Sequence, residues 1–279
     1  MRKVAYILSF GHSGSTLLSL MLEQNPQTVS IGEFHGISKK LGNFPNDKKC
    51  SCGEVIRECP LWGDFYQSIQ DRLPINLNEE YQLLFNSFSK NFSTEKVLVD
   101  SSKVVRNLQE LQTFDDVDLR VVYLIKDVRS FLVSKKRKAI KKGEKFGLFQ
   151  TFKYALIWYR DNQGNLNYLE KNNINHLKMG YEELCLYSQE ANTKLFEFLD
   201  VGTNQTTSQT HSGQINSGQG HMVLGNRMRK DPNKNTTVKY DNVWFTTEPL
   251  INLLGLFLPR VAKFNRKVTY SNQFEKMWK

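Results

Sequence analysis

The segment that most constrains this chain is Val4-Ala5-Tyr6-Ile7-Leu8-Ser9-Phe10, followed by Gly11-His12-Ser13-Gly14-Ser15-Thr16 and then Leu17-Leu18-Ser19-Leu20-Met21-Leu22. A β-prone, mostly apolar run stopped by glycine reads as a buried parallel strand, and the apolar residues after Thr16 read as a helix. Between them, two glycines among small hydroxyl residues let the backbone wrap an anion, with N–H groups and the positive end of the helix dipole facing it. The expected ligand is a phosphate. The nucleotide triphosphatase loop has Lys after its second glycine to reach the β- and γ-phosphates, beside a hydroxyl that holds Mg²⁺. Here Gly14 is followed by Ser15, which favours a phosphate held without metal.

A chain of 279 residues can bury one substantial α/β core, and no Pro/Gly-rich linker divides it, so a single domain over 1–279 is expected. The run Val4–Phe10 is too short and wrongly flanked for a signal peptide or a membrane span. These features lead to the expectation of a soluble, cytoplasmic protein without stable membrane association, monomeric or homodimeric. The formal net charge is +10, and residues 126–145 carry nine basic residues against two acidic. A solvated helix face, a nucleic-acid surface or an anionic small ligand would each account for that excess. Cys50, Cys52 and Cys59 cluster in sequence. No further Cys or His lies nearby at metal-ligand spacing, so no metal is expected; the cluster reads as reduced and loop-bound, with a local disulfide left open.

Apolar runs at Val4–Phe10, Lys96–Asp100, Leu119–Ile125 and Asn175–Met179 read as buried strands. Helical spacing appears in Leu108–Phe114, Ser130–Lys142 and Phe149–Leu169, the last with Phe152, Leu156, Tyr159 and Leu166 toward one side. The alternation predicts an α/β fold, a central parallel sheet flanked by helices. Ligands bind at the carboxyl ends of such strands, where the Gly11 loop, Asp100-Ser101-Ser102-Lys103 and Lys126 would all fall. Residues 202–221 are polar and almost without apolar anchors, and read as a flexible loop or lid rather than a strand. Pro249–Phe264 carries a helical stripe of Leu250, Leu253, Leu254, Phe257, Leu258 and Val261.

Several motifs then line up. The glycine loop, Gly32-Glu33-Phe34-His35, the Cys50-Ser51-Cys52-Gly53…Cys59-Pro60-Leu61-Trp62 block, Val99-Asp100-Ser101-Ser102-Lys103, Tyr123–Arg129 through Ser134, Tyr181-Glu182-Glu183-Leu184 and Gly225-Asn226-Arg227-Met228-Arg229 resemble, in that order, the motifs of bacterial sulfotransferases that use 3′-phosphoadenosine 5′-phosphosulfate (PAPS). The P-loop-like architecture of that family is the fold the resemblance implies. It also implies that Gly11, His12, Ser13, Gly14, Ser15 and Thr16 hold the 5′-phosphosulfate end. Lys126 and Ser134 match the family's 3′-phosphate pair, with Arg129 close enough to assist. Tyr181 matches the tyrosine near the adenine, and Arg227 or Arg229 the late basic motif that closes on the phosphates.

By the same resemblance Glu33 is the base that takes the proton from the attacking hydroxyl, with His35 as its rival. Lys103 stabilises the leaving oxygen, a form of electrostatic preorganisation. His12 stands where the family commonly has Arg or Lys, and carries only part of a positive charge near neutral pH. Lys126 stands for the usual Arg and lacks its bidentate fork. The implied reaction moves a sulfuryl group from PAPS to a hydroxyl, or secondarily an amine, of a small polar metabolite or natural product. It leaves adenosine 3′,5′-bisphosphate and needs no metal. Carbohydrate or tyrosyl acceptors are the nearer alternatives. A P-loop small-molecule kinase and a non-enzymatic nucleic-acid-binding protein are the more distant ones; the first reading involves no nucleic acid.

Overall fold

The structure, a computed structural model, describes residues 1–279 apart from 42, 71, 73, 203–213, 216–219, 226–235, 239, 249–250, 252–256 and 270–279. Its five-stranded parallel sheet has the order β2-β3-β1-β4-β5, formed by β1 Arg2–Ser9, β2 Thr28–Gly32, β3 Val97–Asp100, β4 Val117–Ile125 and β5 His176–Gly180. The α/β expectation holds. The chain falls into two compact units, one of Met1–Leu8, Thr16–Val121 and Asn192–Val238, the other of Ser9–Ser15, Val122–Ala191 and Lys239–Lys279.

In the first unit the apolar alternation of β1 fails because both its faces are covered, and Val4 to Leu8 are at most 1% exposed. Each such Leu or Ile contributes roughly 1.5–3 kcal/mol over an exposed side chain. β3 pairs in parallel with β1 (Ala5 opposite Val99, Tyr6 opposite Asp100) and with β2 (Ser30 opposite Val99, Gly32 opposite Asp100), the latter with an irregularity between Ser30 and Gly32. β2 and β3 therefore end side by side, and Glu33 and Ser101 leave the sheet together. The Tyr6 hydroxyl fixes the second departure, donating to the Val104 carbonyl at 2.8 Å and accepting from its N–H at 2.9 Å. After α1 Ser15–Leu22 and α2 Ile37–Leu41 come two helices that cover this end, α3 Pro60–Ile69 and α4 Leu77–Asn91, the latter opened by an Asn76/Glu79 capping box; α5 Val105–Leu111 follows β3. Phe34 sits in their aromatic core with Trp62, Phe65 and Tyr81.

In the second unit α6, Val128–Lys141, starts where Asp127 accepts the Arg129 N–H at 2.8 Å. The inward face of α7, Leu148–Lys171, consists of Thr151, Ala155, Trp158, Asn162, Leu166 and Leu169. This corrects the sequence reading: Leu166 points inward, but Leu156 is exposed. The reason is polar. Asn162 is drawn inside because its side-chain Oδ1 accepts the Tyr123 hydroxyl at 3.2 Å, beside its backbone carbonyl at 2.9 Å, and Trp158 because its indole N–H reaches the Lys126 carbonyl at 3.1 Å. α8, Tyr181–Leu186, follows β5 directly.

Within 202–221 the expected absence of a strand is also corrected, since Gln214–Ile215 pairs antiparallel with Thr236–Thr237. Gly220 and His221 are buried, and most of the remaining segment lies outside the described residues. Of the stripe 249–264, Leu250, Leu253 and Leu254 lie outside them as well. The helix that is described there runs Pro259–Thr269, with Val261 buried and Phe257 exposed. Among the described residues no helix is long and apolar enough to cross a membrane.

Candidate active site

The second unit contains the glycine loop. Ser13 turns it by donating its hydroxyl to the Phe10 carbonyl at 2.6 Å, and Ser15 and Thr16 open α1, Ser15–Leu22. Gly14 has φ +94°, and a Cβ there would collide with the Tyr181 ring, so only glycine lets the loop lie on that ring. The Lys126 ammonium stands 4.1 Å from the centre of the same ring and 3.4 Å from Ser134 Oγ. Thus the structure brings Gly14, Lys126, Ser134 and Tyr181 together. Lys126 is buried, and burial holds its pKa below the ordinary value, partly offset by Glu182. Among the described residues it forms no ion pair within salt-bridge distance.

Arg129 is employed otherwise. Its Nε and Nη2 close on the two oxygens of Asp127 at 2.9 and 2.7 Å, and its guanidinium lies 3.9 Å from the centre of the Trp244 ring. Burial opposes ionisation of Asp127, but Arg129 and the Asn265 amide hold its pKa below the usual carboxylate range. Of the basic stretch on α6, Lys136 pairs with Glu248 at 2.8 Å and Arg137 with Asp241. Part of the charge excess thus fastens residues 241–248 onto α6.

In the first unit Lys103 Nζ donates to Glu33 Oε1 at 2.6 Å, both side chains being partly exposed. The sequence names both members of this pair; what positions them it does not show. Asp100, fully buried at the end of β3, accepts from the Ser102 N–H at 2.8 Å, the Ser102 hydroxyl at 2.5 Å and the Tyr81 hydroxyl at 2.7 Å. Ser102 Oγ in turn accepts the His35 N–H at 2.9 Å. The Asn107 amide donates to Tyr81 at 3.0 Å while its Oδ1 lies 2.9 Å from His35 Nδ1. With Nδ1 as donor to that oxygen, Nε2 of His35 carries the lone pair. Burial pushes Asp100 up to about 6. Its oxygens are taken up by hydroxyl and amide donors, so this strand-end carboxylate is a scaffold for the turn that carries Lys103.

Backbone strain singles out the same residues. Among the described residues, four that are not glycine have positive φ: His12 (72°), Lys103 (71°), Asn173 (49°) and Asp200 (53°). Asn and Asp are the types that tolerate this region; His and especially Lys are held there by their surroundings, as residues at functional sites often are. His12 also has the Phe131 ring edge-on at 6.5 Å between ring centres. Arg227 and Arg229 lie outside the described residues.

The expectation that no residue completes a four-ligand set for the cysteines is corrected, because it considered only sequence neighbours. His221 Nδ1 lies 3.1 Å from Cys59 Sγ, and one ligand atom from each of Cys50, Cys52, Cys59 and His221 lies within 4.8 Å of all the others. All four cysteines of the chain are free thiols. Sequence separation hid the fourth member.

A glycine loop following a central strand of a five-stranded parallel sheet flanked by helices defines an α/β fold. More particularly, the fold is that of sulfotransferases. The sulfotransferase domain from the curacin biosynthetic pathway matches with a TM-score of 0.55 at 19% identity, over 97% of this chain and 99% of that one. Mouse sulfotransferase SULT7A1, solved in complex with PAP, matches at 12% identity and a TM-score of 0.49, over 96% of this chain and 89% of the other. Sulfotransferase STF9 from Mycobacterium avium matches at 12% identity and a TM-score of 0.44, over 75% and 66%. No family model and no curated protein matches the chain. At 19% identity the likeness to the curacin-pathway domain establishes the fold alone.

Proposed function

We propose that this chain is a sulfotransferase that uses PAPS and a small polar acceptor, delivering to a hydroxyl or, secondarily, an amine. Lys126 carries the reading: a buried ammonium without an ion-pair partner among the described residues, beside the Ser134 hydroxyl, calls for an anion. The residues present fit a nucleotide with anionic groups at both ends. The hydroxyls of Ser15 and Thr16 and the backbone from Gly11 to Thr16 would hold the 5′ end, with His12 in the same loop and the Ser13 hydroxyl turned back onto the Phe10 carbonyl. Tyr181, on which Gly14 rests, offers the base a ring face. Lys126 and Ser134 would hold the 3′-phosphate, Arg129 being already closed on Asp127, with Arg227 and Arg229 as further cations.

Bound there, PAPS would supply an activated sulfuryl group. Glu33 accepts the proton of the acceptor hydroxyl at its carboxylate. That proton neutralises the partner of Lys103, whose ammonium is then released to a second anion, so one proton transfer both activates the acceptor and frees a cation. The Asp100, Tyr81 and Asn107 network orients His35, which makes its Nε2 the alternative base.

Calorimetry tests the site. Adenosine 3′,5′-bisphosphate should bind far more tightly than AMP, and Lys126→Ala should weaken the bisphosphate at least about tenfold. Equal affinity for the two nucleotides would remove the 3′-phosphate pocket. In sulfate-transfer assays Glu33→Gln should lose about 10²–10⁴ in turnover while keeping bisphosphate affinity. Near-normal turnover there, with collapse in His35→Ala, would move the base to His35.

A further inference from the structure

We propose that Cys50, Cys52, Cys59 and His221 form a structural zinc site. Three segments of the first unit converge on it. The first is a tight hairpin in which Lys49 and Val55 bridge, the Cys50 N–H donates to the Glu54 carbonyl at 2.9 Å, and Gly53 turns with φ +97°. It presents Cys50 and Cys52 from one knuckle. The second is the N-cap of α3, which is Cys59. The third is 220–222, strapped down independently of any metal. The His221 N–H donates to the Ser30 carbonyl at 2.7 Å, its carbonyl accepts the Trp62 indole N–H, and the Ser51 hydroxyl donates to the Gly220 carbonyl at 2.8 Å. The His221 ring, thus oriented with Nδ1 toward Cys59 Sγ, is walled by Phe92 edge-on.

The dimensions fit. Tetrahedral zinc with Zn–S near 2.3 Å and Zn–N near 2.05 Å requires S···S edges of about 3.8 Å and S···N edges of about 3.5 Å. The Cys59 Sγ to His221 Nδ1 distance is 3.1 Å and no two of the four ligand atoms are more than 4.8 Å apart, a cluster of the size that such a tetrahedron needs. Three sulfurs and an imidazole are a borderline-soft, tetrahedral set suited to zinc rather than to a hard cation. On binding, the three thiols give up their protons and the thiolates and the imidazole lone pair enter the metal. All four positions are then filled by protein, which makes the site structural and leaves no place for substrate. A disulfide would satisfy two sulfurs and strand the third.

The metal would clamp 220–224 onto the end of β2. Gly32 has φ +75°, and a Cβ there would meet the Leu224 carbonyl at 2.8 Å. Glu33 follows directly, so the site holds the backbone from which the candidate base projects. The proposal rests on its own cluster and does not depend on the sulfuryl-transfer reading, because metal content is measured without turnover.

The test is elemental analysis of untagged protein purified without chelator: about one zinc per chain is expected. Cobalt exchanged into the site should show the visible d–d bands and thiolate charge-transfer absorption of a tetrahedral sulfur-rich centre. His221→Cys should retain zinc as a four-thiolate site, whereas His221→Ala and Cys52→Ser should lose most of it. Stripping the metal should accelerate hydrogen exchange in 49–59 and 220–224. Should the variants fail to fold, the zinc content and cobalt spectrum of the unchanged protein decide. Zinc well below stoichiometric in zinc-supplemented expression with all thiols freely titratable, or a Cys–Cys linkage by mass spectrometry, would overturn the proposal.

Discussion

Lys103 shows what a single residue carries here. Its φ of +71° puts a long side chain in a region that costs an L-residue about 1–2 kcal/mol, and what it gains is one 2.6 Å contact with Glu33. Glycine at 103 would relieve the backbone and discard the ammonium; alanine would discard the ammonium and keep the strain. Lys103→Gly should therefore be more stable than Lys103→Ala by roughly 1 kcal/mol in urea unfolding, while both lose sulfuryl transfer to a similar degree. Equal stabilities would mean that the turn is unstrained, and full activity in either would remove Lys103 from the chemistry. At this scale the sequence was readable where residues that lie together stand in local motifs: Glu33 and Lys103, and Lys126 and Ser134, all belong to named stretches. It was unreadable where the role is a partnership across the chain. His35 depends on Asn107, 72 positions away, and Cys59 on His221, 162 away. Nothing in the spacing of either pair announces the contact.

At the scale of elements, legibility followed burial and periodicity. The apolar runs became β1, β3, β4 and β5, but β2 was missed because Thr28-Val29-Ser30-Ile31-Gly32 looks half polar. All five residues are buried, and the hydroxyls are satisfied by α1 carbonyls, Thr28 on Leu22 at 2.5 Å and Ser30 on Ser19 at 3.1 Å. α8 is held by packing of a different kind. Its N-cap, Gly180, donates to Glu183 Oε2 at 3.0 Å and lies so close to the Thr269 carbonyl that no Cβ fits. Gly180→Ala must push the helix Pro259–Thr269 away, at about 1–3 kcal/mol. Because Tyr181 is the next residue, bisphosphate affinity should fall with it. An alanine variant of unchanged stability and affinity would show that this junction yields freely.

For the whole molecule, the buried acids set how stability responds to pH. Burial pushes Asp100 up to about 6 and Glu182 to about 8, the Asp127 charge adding to the second. In the unfolded chain both ionise near pH 4. Between about pH 4 and 8 the folded state therefore holds protons that the unfolded state has lost, and each of these groups makes unfolding easier as pH rises. Asp127 acts in the opposite sense: its depressed pKa contributes stability that is present above the unfolded value and lost as pH falls through the folded one. Glu182 is the group to isolate. It accepts the Asp127 N–H through both oxygens at 3.3 Å, a role that a neutral amide oxygen can share. Glu182→Gln cannot ionise, so its stability relative to the unaltered protein should rise from pH 5 to pH 8.5 by a few kcal/mol, on the order of 1.4 kcal/mol per pH unit. Urea unfolding of both proteins at several pH values reads this difference directly, and titrations common to both cancel. A difference that stays flat across that range would mean Glu182 is already ionised in the folded state at pH 5, with the Lys126 ammonium outweighing its burial.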